Sequence, residues 1–105
     1  MSADPFFRMV VEDVFSIAKR GTVVTGRIEA GTLKVGDEIL IRRKGSGMKT
    51  VVAGIEAFRK LLDQANQGDT VGILLKDVGK QDVQKGDEIV SAAAGFLDTD
   101  PSLTP

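Results

Sequence analysis

Residues 6–17, FFRMVVEDVFSI, carry Phe7, Met9, Val11, Phe15 and Ile17 on one parity, with charged residues scattered through the other. An apolar residue at every second place marks a half-buried strand, because successive side chains of an extended backbone point to opposite faces. Residues 21–29, GTVVTGRIE, are rich in β-branched side chains and bounded by glycines. They predict a second strand, bent at Gly26 by a bulge or a close approach. The short Lys19-Arg20-Gly21 connection predicts that this strand pairs with its predecessor. Further strands are expected over 38–42, with Ile39 and Ile41 inward, and over 48–55, 70–75 and 87–92. About seven short strands with turn signals between them indicate a closed antiparallel barrel or a sandwich. The barrel is favoured, since closure hides strand edges in a chain too short for two full sheets. One segment breaks the alternation: residues 58–64, FRKLLDQ, predict one or two turns of helix.

Three places share one local pattern: VGDEI at 35–39, QGDTV at 67–71 and KGDEI at 85–89. In each, glycine can supply a positive φ, aspartate can bond nearby backbone amides, and strand-like alternation follows at once. Their unequal spacing points to recurring turn chemistry rather than a tandem repeat.

A length of 105 residues fits one domain. Residues 1–92 are expected to form it. Past Ser91 the text turns to small residues, acids and two prolines, AAAGFLDTDPSLTP, so 93–105 are expected to be a flexible tail or linker. Fourteen basic against fifteen acidic residues leave a net charge of -1, so any RNA contact must be local rather than drawn by a global field. No apolar run is long enough to cross a bilayer, and the first residues lack a signal-peptide layout, so a cytoplasmic protein with no membrane partner is expected. The chain has no Cys, His, Trp or Tyr. That removes disulfides, thiolate and imidazole chemistry and the usual zinc and copper ligands. The expectation is a binding module with no catalytic residues, metal or cofactor.

No stretch spells the phosphate-binding G-x-x-x-x-G-K-[ST]; the nearest spacing, Gly21 to Gly26, continues Arg27-Ile28. Acid pairs occur at Glu12-Asp13, Asp37-Glu38 and Asp87-Glu88, but neighbours in a strand face opposite ways and do not make a glycosidase-like pair. The basic clusters Lys19-Arg20, Arg42-Arg43-Lys44 with Lys49, and Arg59-Lys60 read first as solvated surface and second as RNA or protein contacts. The most pointed segment is 54–62, GIEAFRKLL, where a Glu, a Phe and an Arg stand as a strand leaves the barrel, a place where sites gather.

FRMVVEDVFSI, RGTVVTGRIEAGTLKVGDEI, VAGIEAFRKLLDQANQGDTVGILLKDV and VQKGDEIV, in that order and spacing, closely resemble the second domain of elongation factor Tu, across residues 6–90. The resemblance implies an all-β fold, a closed antiparallel barrel of six to seven strands. It also implies a role in translation: holding the aminoacylated CCA end of tRNA and packing on a GTPase domain. Glu56 matches the residue that packs on the terminal adenine, and Ile17, Val23 and Leu74 match the apolar walls around it. Phe58 and Arg59 match positions beside the aminoacyl ester. Thr70 stands where the family often has Asn, and Lys19 where it has Gly next to the adenine. The resulting expectation is an RNA-binding module for the aminoacyl-tRNA acceptor end, weak when alone. Its alternative is a protein-interaction barrel that docks on a GTPase domain or the ribosome without gripping tRNA.

Overall fold

The computed structural model describes residue 4 and residues 6–92. Ten strands follow one another: β1 (Arg8–Val10), β2 (Asp13–Ile17), β3 (Gly21–Ala30), β4 (Thr32–Lys34), β5 (Glu38–Arg43), β6 (Ser46–Ala57), β7 (Lys60–Leu62), β8 (Gln64–Asn66), β9 (Thr70–Leu75) and β10 (Glu88–Ser91). A single 3-10 turn, Lys80–Asp82, links β9 to β10. Six strands close on themselves in the order β1-β10-β5-β6-β9-β3 and back to β1, every pairing antiparallel. Closure leaves the barrel wall no unpaired backbone edge. Three additions decorate it: β2 lies along the first half of β3, β7 folds back on β6, and β4 pairs with β8 in a separate ribbon.

The inward positions fill the interior. Met9, Val24, Ile39, Ile73, Leu75 and Ile89 have no exposed surface, and Phe7, Ile28, Val52 and Ile55 are nearly as buried. Truncating any one of these to alanine removes about 2–5 kcal/mol, the transfer term plus the cavity left behind. Leu33 and Ala65, opposite each other in the β4–β8 ribbon, are buried as well, so the ribbon seals onto the same core. Gly26 behaves as its sequence setting predicts: a Cβ there would lie 2.4 Å from the Val10 carbonyl oxygen and 3.2 Å from Met9. The close packing of β3 on β1 therefore requires glycine.

The three Gly-Asp turns are built alike. Gly36, Gly68 and Gly86 have φ of 98°, 94° and 96°. The carboxylates of Asp37, Asp69 and Asp87 each accept the N–H three residues upstream, from Lys34, Asn66 and Gln84, at 2.9, 2.8 and 2.9 Å. The Asp N–H in turn donates to the same upstream residue's carbonyl in all three. Each turn then clamps one distant residue by a reciprocal pair of backbone bonds: Gly36 and Asp37 on Val52, Gly68 and Asp69 on Ile28, Gly86 and Asp87 on Val11. One local motif thus closes three hairpin-like corners and binds each to the wall.

Two expectations need correction. Residues 58–64 are not helical: Phe58 and Arg59 form a two-residue turn, and Lys60–Leu62 pairs back on β6 through Ala57↔Lys60, Glu56↔Leu61 and Ile55↔Leu62. The adjacent Leu61-Leu62 pair obscured the strand period, because Leu62 packs toward the core while Leu61 stands 79% exposed. The parity of residues 6–17 also does not run through. The strand breaks at Val11-Glu12, where the Gly86 turn clamps Val11, and beyond it the inward residue is Val14. A shift of one position sends every later side chain to the other face, so Phe15 and Ile17 point outward. Elsewhere the expected strands appear with small changes of limit, 70–75 unchanged and 48–55 lengthened to Ser46–Ala57. The tail expected over 93–105 lies outside the described residues.

Candidate nucleic-acid interface

Outward-facing residues of β7, β6, β9, β3 and β2 line up by strand register. One row runs Leu61, Glu56, Gly72, Thr25, Asp13; the next runs Gly54, Leu74, Val23, Phe15. Val23 lies on the outer side of the wall, one position from the core residue Val24, yet is only 8% exposed. An apolar outer face that is buried without a second sheet above it is the floor of a cleft.

Two clefts open there. The first encloses about 280 Å³ between Ile17, Val23 and Leu74 on one side and Leu61, Leu62 and Val35 on the other, with Glu56, Asp63 and Arg20 at its margins. That volume is at the small end for ligand sites. The second, about 420 Å³ and more apolar in its lining, runs from Phe15 and Thr25 past Glu56 to Phe58, Arg59 and Thr70. Ile17, Val23, Glu56 and Gly72 line both, so the clefts are contiguous. Gly72 lies between them: a Cβ there would come 3.3 Å from Val23 Cγ1 and 3.8 Å from both Glu56 Cγ and Thr25 Cγ2. Its φ does not require glycine, and glycine within a strand is otherwise unfavourable. The open space above it is the physical return on that residue.

Seven of the residues singled out from the sequence meet at these clefts: Ile17, Val23, Glu56, Phe58, Arg59, Thr70 and Leu74. Lys19 does not. It lies around the end of the β2–β3 hairpin, in a third depression with Arg20, Asp77 and Gly79. The turn residues Phe58 and Arg59 both have positive φ, 51° and 65°, and Phe58 is 92% exposed. Positive φ at both central residues marks a type I′ hairpin turn, a conformation that Asn-Gly supplies without strain. Bulky residues there cost about 1–2 kcal/mol each, and strain of this kind collects at functional sites. The sequence pattern named Arg20 only within the Lys19-Arg20 basic cluster, and it did not single out Leu61, Val35 or Gly72 as site residues. Only the pairing of β7 on β6 brings Leu61 to the rim, and only the register of β9 sets Gly72 beside Glu56.

Of the acid pairs, Asp87-Glu88 is committed to ion pairs. Asp87 is buried and takes two bonds from the Arg43 guanidinium, at 2.9 and 2.8 Å. Those bonds, with help from the Gln84 N–H, hold its carboxyl below the usual range and push the Arg43 pKa up, against the desolvation that burial brings. Glu88 pairs with Arg8 and Arg42. Among the described residues there is no group of three or more acids that could hold a metal ion, and no helix is long and apolar enough to cross a membrane.

Comparison with known protein families gives one result that bears on this surface. The family model described as elongation factor Tu domain 2 matches residues 21–90, from the start of β3 to within one residue of the end of β10.

Proposed function

This chain belongs to the elongation factor Tu domain 2 family, a translation-factor β-barrel module, and on that premise we propose that its paired clefts hold the aminoacylated CCA end of tRNA in the cytoplasm. The observation that supports this most is convergence: residues scattered from 17 to 74 line two contiguous apolar clefts, with Glu56 lining both. The terminal adenine lies in the smaller cleft, with the Glu56 side chain packed on it and Ile17, Val23 and Leu74 as the apolar walls. The Phe58-Arg59 turn presents backbone N–H groups and a guanidinium to the aminoacyl ester. The module contributes binding and orientation, and no bond is made or broken on it.

Stacking of one base contributes roughly 1–3 kcal/mol, so the barrel alone binds in the high micromolar range or more weakly. The test is an amide-resolved NMR titration with a short aminoacylated acceptor-stem RNA, the uncharged RNA serving as control. Saturable shifts confined to 17–23, 56–59 and 70–74, lost in Glu56→Ala/Arg59→Ala, support the reading. No shifts at millimolar RNA refute it.

A second reading rests on a different observation. Phe58, Leu61 and Phe15, at 92%, 79% and 50% exposure, make an apolar rim suited to protein contact. In that case the barrel docks on a GTPase domain or the ribosome without binding RNA, and the Glu56→Ala/Arg59→Ala change leaves docking untouched while Phe58→Ser/Leu61→Ser abolishes it.

A further inference from the structure

Lys19 sits at the end of the β2–β3 hairpin with φ of 64°, a left-handed conformation that glycine adopts freely and lysine does not. Neither its side chain nor that of Arg20 has a hydrogen bond or ion pair among the described residues. Both line a depression next to the apolar clefts, and two residues connect the sites: Ile17 borders all three, and Arg20 borders this depression and the smaller cleft. Asp77 is the acid in its lining; Asp82, close by in sequence, turns its carboxylate onto the Gly79 N–H. Lys76 and Lys80 flank the same loop in sequence. The lining of the depression therefore holds two cations, Lys19 and Arg20, against one acid, Asp77, although the chain as a whole carries a net charge of -1.

A nucleotide has an apolar flat base and, a few ångströms away, an anionic phosphodiester. The surface has the same two parts at neighbouring places. We infer that Lys19 and Arg20 form a phosphodiester subsite, which takes the backbone phosphate of an RNA strand whose terminal base occupies the smaller cleft. This rests on the nucleic-acid reading of the clefts and deepens it: the barrel recognises the strand behind its end as well as the end itself. A positively charged side chain explains why a strained position holds lysine. The alternative, in which Lys19 only crowds the neighbouring cleft, makes the opposite prediction for its removal.

The experiment uses the full chain and the aminoacylated acceptor-stem RNA, with dissociation constants read by NMR titration at several salt concentrations. Lys19→Gly removes the charge and relieves the backbone, so its melting temperature is expected to be no lower than that of the unaltered chain. Lys19→Gln keeps most of the bulk without the charge. Each neutralised phosphate on a single strand steepens the dependence of log K on log salt by about 0.7. Both variants are therefore expected to bind several-fold more weakly at low salt, with a slope shallower by about 0.7, and to converge with the unaltered chain at high salt. Unchanged slopes, or tighter binding by Lys19→Gly, overturn the subsite while leaving the base cleft intact. Absence of binding by the unaltered chain overturns the parent reading, and the subsite with it.

Discussion

Three turns of one geometry, placed in three different environments, allow a controlled measurement of what a single buried ion pair contributes. Asp37, Asp69 and Asp87 make the same bond to the N–H three residues upstream, but Asp69 is exposed, Asp37 half-buried and Asp87 buried against Arg43. Asp69→Ala removes the turn bond alone, which costs about 1 kcal/mol. Asp87→Ala removes the equivalent bond and two charge-assisted ones. Hydrogen bonds to charged groups contribute about 1.5–3 kcal/mol when well shielded, and the 39% exposure of the Arg43 side chain puts this pair toward the lower end. Counted as one ion pair and discounted for that exposure, the two bonds add about 1–3 kcal/mol, so the total for Asp87→Ala is about 2–4 kcal/mol. With a urea m-value of about 1 kcal/mol/M for a domain of this size, the midpoint falls by about 1 M for Asp69→Ala and by about 2–4 M for Asp87→Ala, Asp37→Ala lying between.

The same pair sets a pH dependence of definite sign. The folded-state pKa of Asp87 is lowered, chiefly by the Arg43 bonds. Its contribution is therefore fully present above the unfolded-state carboxylate pKa and is lost as pH falls through the lower folded-state value. The gap between the unaltered chain and Asp87→Ala, measured by urea unfolding, should be wide at pH 7 and narrow toward pH 2. Taking the difference between the two proteins cancels the titration of the remaining carboxylates. If Asp87→Ala costs no more than Asp69→Ala at pH 7, or the gap is the same in acid, the ion pair does not stabilise the fold as argued.

Other changes test the packing and the site. Gly26→Ala drives a Cβ to within 2.4 Å of the Val10 carbonyl; backbone displacement of this kind costs about 3 kcal/mol or more, and a melt indistinguishable from the unaltered chain would refute the close approach. Gly72→Val fills the floor common to both clefts at a site where φ permits any residue, but its Cβ comes within 3.3 Å of Val23 Cγ1 and that side chain must shift, so the melting temperature should fall modestly while RNA-induced NMR shifts disappear. Retained shifts would place the ligand elsewhere. Replacing Phe58-Arg59 by Asn-Gly relieves two strained positions, about 1–2 kcal/mol each less about 1 kcal/mol for the chain freedom that glycine adds, and should raise stability by about 1–3 kcal/mol in denaturant melts while weakening RNA binding; a loss of stability would contradict the two-residue turn.

By itself the sequence determined the all-β class, the barrel and most strand positions, because alternation of period two and glycine-bounded β-branched runs are local signals. It also determined the three Gly-Asp turns, whose bonds span three residues and need no tertiary partner. The limits of that information show at two places. A one-residue break at Val11-Glu12 moved Phe15 and Ile17 to the outer face; its one mark in FFRMVVEDVFSI is Asp13, a charge on the apolar parity, with Val14 beside it, and the clamp on Val11 comes from residues 86 and 87. The run FRKLL looked helical because both leucines are apolar, and only pairing with β6 separates the one that packs from the one that lines the rim. The site shows the same division. Glu56, Phe58 and Arg59 were legible as an unusual corner, but Gly72 and Leu61 acquire meaning only from what stands beside them. Neighbours across strands are set by register and closure, which are properties of the whole barrel and of no segment alone.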